Sequence, residues 1–300
     1  MALDKAMHER STLKIGVAQT QALDDKLDAG FEKHRKMIEA ARREDIEVLL
    51  FPELSLSGHG IGPGFLEMAL SRDDPRILEL AGLAGDMVAV FGLIEDGVAA
   101  QFYNSVVAVQ GGRVFFVHRK INLATYGKLE EGKHFAAGRY VETFELGSPW
   151  KASVLVCNDL WNPALVNLAA LHGATLLLAP ISSAIGAVGA EFDNPSGWAT
   201  CLRFYSMIYG LPLVMANRVG REGEFEFWGG SCILDPFGHV LAQADGENES
   251  LISATLNYQD LRRARYLLPT VRDSNLDLVL RESERLYQII GVPDSVRDLP

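Results

Sequence analysis

Three cysteines in 300 residues, Cys157, Cys201 and Cys232, are too few and too scattered for a disulfide framework. Their odd number points instead to a reducing compartment. No CxxC pair exists, and no histidine stands at ligand spacing from any cysteine, which excludes the common zinc sites. HExxH and P-loop patterns are also missing, so neither a metal nor an organic cofactor is expected. Positive charge is scarce: 28 Lys and Arg face 39 Asp and Glu, for a net charge of −11. Binding to a phosphate backbone needs a basic face, so nucleic acid is not an expected partner. No apolar run approaches the ~18 residues of a membrane span. The opening "MALDKAMHERSTLK" holds no apolar signal segment. The expectation is a cytoplasmic protein that engages neither membrane nor nucleic acid.

What is present is a globular balance, with 48% hydrophobic and 22% charged residues. "LKIGVAQT" (13–20) predicts a first strand. An amphipathic helix follows, with Leu27, Phe31, Met37, Ile38 and Ala41 on one face. "EVLLFPE" (47–53) predicts a second buried strand, 76–86 a helix, and "MVAVFGLIE" (87–95) a third strand. "FYNSVVAVQ" and "RVFFVHRK" flank a Gly111-Gly112 hairpin turn. The order then repeats: strand "ASVLVCND" (152–159), helix 162–173, strand "ATLLLAPIS" (174–182) and helix 196–209. "LPLVMANRVG" reads as one strand, and "GGSCILD" with "HVLAQA" as a hairpin. A strand near "SLISATL" and two helical stretches end the pattern. No Pro/Gly/Ser linker divides it. The reading is one α/β domain over residues 1–300, with two helix-covered sheets in a core of about 13–258 and a helical extension over 259–300.

In open α/β sheets, function gathers beyond the carboxyl ends of strands. Glu53 and Cys157 stand at such ends, and Lys120 ends the second hairpin strand. Singly, each has a plain structural explanation: a turn acid, a small buried hydrophobe, a solvated strand end. Jointly they suit attack on a carbonyl. A thiol with a pKa near 8.5 needs a base or a positive field, which Glu53 and Lys120 could supply. The backbone N–H of Asn158, opening a helix, is a ready oxyanion donor beside Lys120. A helix N-terminus would also favour the thiolate.

These blocks resemble the nitrilase superfamily of carbon–nitrogen hydrolases. The matching stretches are "FPELSLSG" (51–58), "HRKINL" (118–123) and "VLVCNDLWNP" (154–163), supported by "IGVAQT", "NRVG" (217–220) and "FWGGSCILDPFGHVL" (227–241). The resemblance implies a four-layer αββα sandwich and a Glu53-Lys120-Cys157 triad acting through a thioester. It also implies a second glutamate four residues before an aromatic that leads into a glycine. Phe135 and Gly138 place that glutamate at Glu131 and leave Glu130 as a surface carboxylate. Self-association into a dimer or larger oligomer is implied as well, and the apolar stripe of "RESERLYQIIGV" (281–292) is a candidate contact.

The resemblance also bears on substrate. Nitrilases carry Trp-Glu after the nucleophile, whereas this chain has Asn158-Asp159, which favours a small primary amide over a nitrile. "CNDLW" and Tyr126-Gly127 are similar to the glutaminase domain of glutamine-dependent NAD synthetase, though no synthetase Ser-Gly-Gly loop follows. Asn158, Tyr126, Trp161 and Ser182, with Ser183, are candidate substrate contacts; Trp161 could equally pack at the helix start. Asp159 is expected to cap the next helix. Alternatives are a nitrilase or N-carbamoyl amide hydrolase with the same triad, a Cys-His hydrolase using His118 or His134, and a non-catalytic scaffold.

Overall fold

The computed structural model describes residues 11–22, 27–58 and 64–291. β1 (Thr12–Gln21) is followed by helix Leu27–Arg43, β2 (Val48–Leu50), helix Pro75–Ala84, β3 (Val88–Asp96), β4 (Phe102–Gln110) and β5 (Arg113–Arg119). β6 (Thr143–Glu145), β7 (Lys151–Val154), helix Pro163–Leu171, β8 (Leu176–Pro180), helix Asn194–Tyr209 and β9 (Leu213–Ala216) come next. β10 (Arg218–Glu222), β11 (Phe225–Trp228), β12 (Cys232–Leu234), β13 (Val240–Gln243) and β14 (Ser250–Asn257) precede the helices Tyr258–Leu267 and Leu276–Leu286. One sheet runs β11-β10-β1-β2-β3-β4-β5, with β14 paired antiparallel to β1; the other runs β13-β12-β9-β8-β7-β6.

Strand alternation builds the layers. Val48 and Leu50 of β2 face the second sheet, where Val154, Leu178 and Val214 meet them, while Leu49 between them points to the helices. The outer helices bury Phe31, Ile38, Ala41, Ile77 and Leu80 against the first sheet. On the other side, Leu165, Val166, Trp198 and Leu202 cover the second. The order helix, sheet, sheet, helix is the expected sandwich. Leu27 and Met37 of the first amphipathic stripe are only partly buried but pack on the same cluster.

Three details correct the sequence reading. "LPLVMANRVG" is two strands in different sheets, because Asn217 interrupts the ladder. Its side chain bonds the backbone of Ser183 and Gly229 instead, and local side-chain bonds of this kind compete with strand pairing. β6 and β11, of three and four residues, are too short to show a period. The strand before Cys157 ends at Val154, and Cys157 opens a 3₁₀ turn that runs to Trp161. Among the described residues, no helix is long and apolar enough to cross a membrane.

His34, on the first helix, ties that layer to the turn after β2. Its Nδ1 lies 2.7 Å from the Gly30 carbonyl and its Nε2 2.9 Å from Ser55 Oγ, with the ring stacked on Phe51. Burial pushes its pKa from 6.5 down to about 3. The unfolded chain therefore takes up a proton first, and stability is lost as pH falls from 6.5 toward about 3. Between about pH 7 and about pH 4.5, Tm should fall several degrees further in wild type than in His34→Gln. Parallel thermal-shift curves would show that His34 does not supply this acid sensitivity.

Candidate active site

β2 ends because Pro52 cannot extend the ladder, and the chain turns sharply at Leu54, whose φ is +48°. The turn packs so closely on β3 that a Cβ on Gly92 would lie 2.2 Å from the Leu54 nitrogen. Glycine is therefore needed at position 92. The buried Arg218 donates from Nη2 to the carbonyls of Glu53 and Leu54, at 2.7 and 2.6 Å, and pairs with Glu222 through Nη1. Ser182 Oγ donates to the Glu53 carbonyl at 3.0 Å. Glu53 is thus held at its backbone and fully buried at its side chain.

Lys120 leaves the end of β5 into the same space. Its Nζ lies 2.7 Å from Glu53 Oε1 and 2.8 Å from Glu131 Oε2, with all three side chains no more than 1% exposed. Glu131 begins a 3₁₀ turn, where its carboxylate also accepts from the Ala124 N–H at 2.6 Å. Asn104 of β4 joins the cluster, donating from Nδ2 to Glu53 at 2.7 Å and to Glu131 at 3.1 Å. Burial opposes the charge on Lys120, but Glu131 and Glu53 outweigh it and hold the ammonium protonated, well above its ordinary range. Glu130 faces solvent and pairs with Lys133. Glu131 is thus buried in the cluster, and Glu130 lies at the surface.

Cys157 sits beside this cluster at φ +46°, an uncommon conformation for a non-glycine residue. Burial and the carboxylates of Glu53 and Glu131 push its thiol well above the usual range; Lys120 and the Ser182 N–H pull the other way without prevailing. This reverses the expectation of a thiolate favoured by the lysine and the helix start. Asn158 lies in the first turn of the 3₁₀ segment, where N–H groups lack an intrahelical acceptor. Its side chain accepts from the Tyr126 hydroxyl at 2.7 Å and donates to the Asn122 carbonyl at 3.1 Å.

Trp161 both packs and lines a space. Its ring lies 4.7 Å from Trp198, and with Asn158, Asn122 and Ala137 it borders a cavity of about 420 Å³. Ser183 is occupied as an acceptor for the indole N–H groups of Trp198 and Trp228. Asp159 does not cap the following helix; Asn162 does, through Ala164 N. His118 bonds Asp159, and the exposed His134 packs near Phe65; no bond joins either to the Cys157 sulfur. Asn104 and Arg218 were missed from sequence. Arg218 lies inside the "NRVG" stretch, a signal that marked the segment without indicating its contact.

The carbon-nitrogen hydrolase family matches residues 14–266. The chain belongs to that family. A probable nitrilase of Schizosaccharomyces pombe is 30% identical over 226 residues, which is 73% of this chain and 78% of the relative. The glutamine-dependent NAD(+) synthetase of Acinetobacter baylyi is 27% identical over 257 residues; the match spans 85% of this chain but only 46% of that protein. The crystal structure of a carbon-nitrogen hydrolase from Helicobacter pylori G27 superposes with a TM-score of 0.79. That match covers 90% of this chain and 97% of the other at 24% identity, and it shows the fold. The protein is a carbon–nitrogen hydrolase.

The geometry separates the neighbouring glutamates by experiment. Glu131→Gln should lower kcat at least ~100-fold, because the buried ammonium loses a charged partner, while Glu130→Gln stays within about 2-fold. Equal, mild effects of the two substitutions on ammonia release would remove Glu131 from the site.

Proposed function

We propose that this hydrolase converts a small primary amide to its acid and ammonia through a thioester on Cys157. The observation that carries the proposal is the buried ammonium of Lys120 between Glu53 and Glu131, next to the thiol. Glu53 takes the thiol proton as the sulfur attacks the carbonyl carbon, and the C=O electron pair moves onto oxygen. Lys120 and the Asn158 N–H hold the oxyanion. The carbonyl re-forms, the C–N bond breaks, and Glu53 gives its proton to the departing nitrogen, which leaves as ammonia. Water then transfers a proton to Glu53 while its oxygen attacks the thioester. The C–S bond breaks, the sulfur regains the proton from Glu53, and the acid departs. Glu131 and Asn104 orient the lysine.

A base-coupled attack suits a thiol whose surroundings push its pKa upward. The substrate reading rests on the absent Trp-Glu pair after Cys157 and on the burial of Glu53, Lys120 and Glu131 around a half-buried Cys157, which favours small molecules over peptide bonds in folded proteins. A glutamine-like side-chain amide suits the similarity to the NAD synthetase region. Free thiols at Cys157, Cys201 and Cys232 and the charge of −11 support a cytoplasmic setting.

Matched amide and nitrile pairs test the substrate class, with ammonia release followed and the thioester sought by mass spectrometry. The amide should have the higher kcat/KM, and Cys157→Ala should lower turnover at least ~100-fold while Cys201→Ala and Cys232→Ala keep most of it. A faster nitrile would overturn the amidase assignment. Retained turnover in Cys157→Ala would overturn the mechanism.

Self-association belongs to the same proposal. Leu276, Val279, Leu280, Leu286, Tyr287 and Ile290 are 41–73% exposed along the last helix and the turn after it, more apolar surface than a lone helix usually leaves in water. Val292, at the end of the stripe expected from sequence, lies outside the described residues. Light scattering at about micromolar concentration should give at least a dimer mass, a threshold typical of interfaces this apolar. A monomer mass there would refute it.

A further inference from the structure

The carboxylate of Asp159 is wholly buried and makes four bonds. Oδ1 accepts from the Ile121 and Asn122 N–H groups at 3.0 and 2.7 Å. Oδ2 accepts from the Val156 N–H at 3.0 Å and lies 3.2 Å from His118 Nε2. Beside a carboxylate, the productive tautomer of His118 carries its proton on Nε2. Ile121 and Asn122 directly follow Lys120, and Val156 directly precedes Cys157. β5 belongs to one sheet and β7 to the other, so this single side chain joins the two sheets at the point where their reacting residues emerge.

We propose that Asp159 is a positioning residue that latches the Cys157 turn to the end of the Lys120 strand and so sets the sulfur against the ammonium. The inference rests on the reading of Cys157 and Lys120 as the reacting pair. Two physical facts require such a latch. Cys157 holds φ at +46°, and a conformation of that kind persists only when its surroundings over-determine it. Every group that faces Asp159 is a donor, a demand that only an acceptor-only side chain meets. An asparagine has one acceptor oxygen; with that oxygen on the Ile121 and Asn122 N–H groups, its NH₂ would face the Val156 N–H and loosen the hold on the Cys157 turn. The effect on chemistry comes through placement, since a misplacement of about 1 Å can cost about 100-fold in rate.

The test compares wild type with Asp159→Asn at a temperature well below either Tm. Iodoacetamide, scored by mass spectrometry for modification at Cys157, reports the nucleophile without any substrate; kcat and KM on the best amide supply the second readout. Alkylation of Cys157 should slow at least ~10-fold and kcat fall in parallel, with KM within about 3-fold. A variant with lowered Tm but wild-type alkylation and kcat would make Asp159 merely structural and overturn the latch. If Asp159→Asn does not fold, His118→Leu removes one of the four bonds and leaves the backbone bonds in place; alkylation should slow about 3-fold, and an unchanged rate overturns the proposal. Wild-type protein alkylated at Cys201 or Cys232 in preference to Cys157 would sink the catalytic reading and this inference with it.

Discussion

The ammonium of Lys120, sealed between two carboxylates, is the interaction on which the rest of the site depends. Taking each of these ions out of water costs several kcal/mol, and their attraction repays it only with good geometry and satisfied hydrogen bonds. The geometry is good: contacts of 2.7 and 2.8 Å, with Asn104 bridging the two carboxylates and the Ala124 N–H holding Glu131. A hydrophobic cluster would stabilise the same space more cheaply. A charged cluster here is better explained by the chemistry beside it.

That cluster needs two turns that the backbone disfavours. Leu54 and Cys157, at φ +48° and +46°, cost of order 1–3 kcal/mol each. Each turn is restrained from outside itself. Arg218 and Ser182 hold the carbonyls of the first, and Asp159 reaches back to the N–H before the second. The passage of the chain from β9 to β10 makes the first restraint possible. By leaving one sheet for the other at Asn217, it delivers Arg218 beneath the Glu53 turn.

Glu53, Lys120, Cys157 and Glu131, which the fold brings together, could be singled out as candidates because each stands locally at a strand end or at a fixed spacing from an aromatic and a glycine. The layers were legible for the same reason, since alternation and helical period are local properties. Asn104 and Arg218 meet Glu53 across 51 and 165 residues, and nothing in either neighbourhood encodes that meeting. Asp159 looked like a cap because its type and position suit one; besides the nearby Val156 N–H, its partners lie 37 to 41 residues away, at the end of a strand in the other sheet. The upward push on the Cys157 thiol was not anticipated because burial, its largest cause, is a property of the fold rather than of the local sequence.

That upward push carries a mechanistic consequence. Two carboxylates and one ammonium give the resting cluster a charge of −1, and a preformed thiolate would make it −2. At about 4 Å and an effective dielectric constant of about 20, each added pair of like charges costs about 4 kcal/mol. In the mechanism proposed above, the proton transfers avoid that cost. When Glu53 takes the thiol proton it becomes neutral as the oxyanion forms, so the total stays at −1. When it passes the proton to the nitrogen as the oxyanion collapses and the C–N bond breaks, Glu53 regains the charge that the oxyanion gives up, and the total is again −1. Hydrolysis of the thioester repeats the exchange with water in place of the thiol. A buried site that never changes its net charge never has to resolvate an ion during turnover, and the proposed carboxylate base next to a fixed ammonium would achieve this with a neutral amide as substrate.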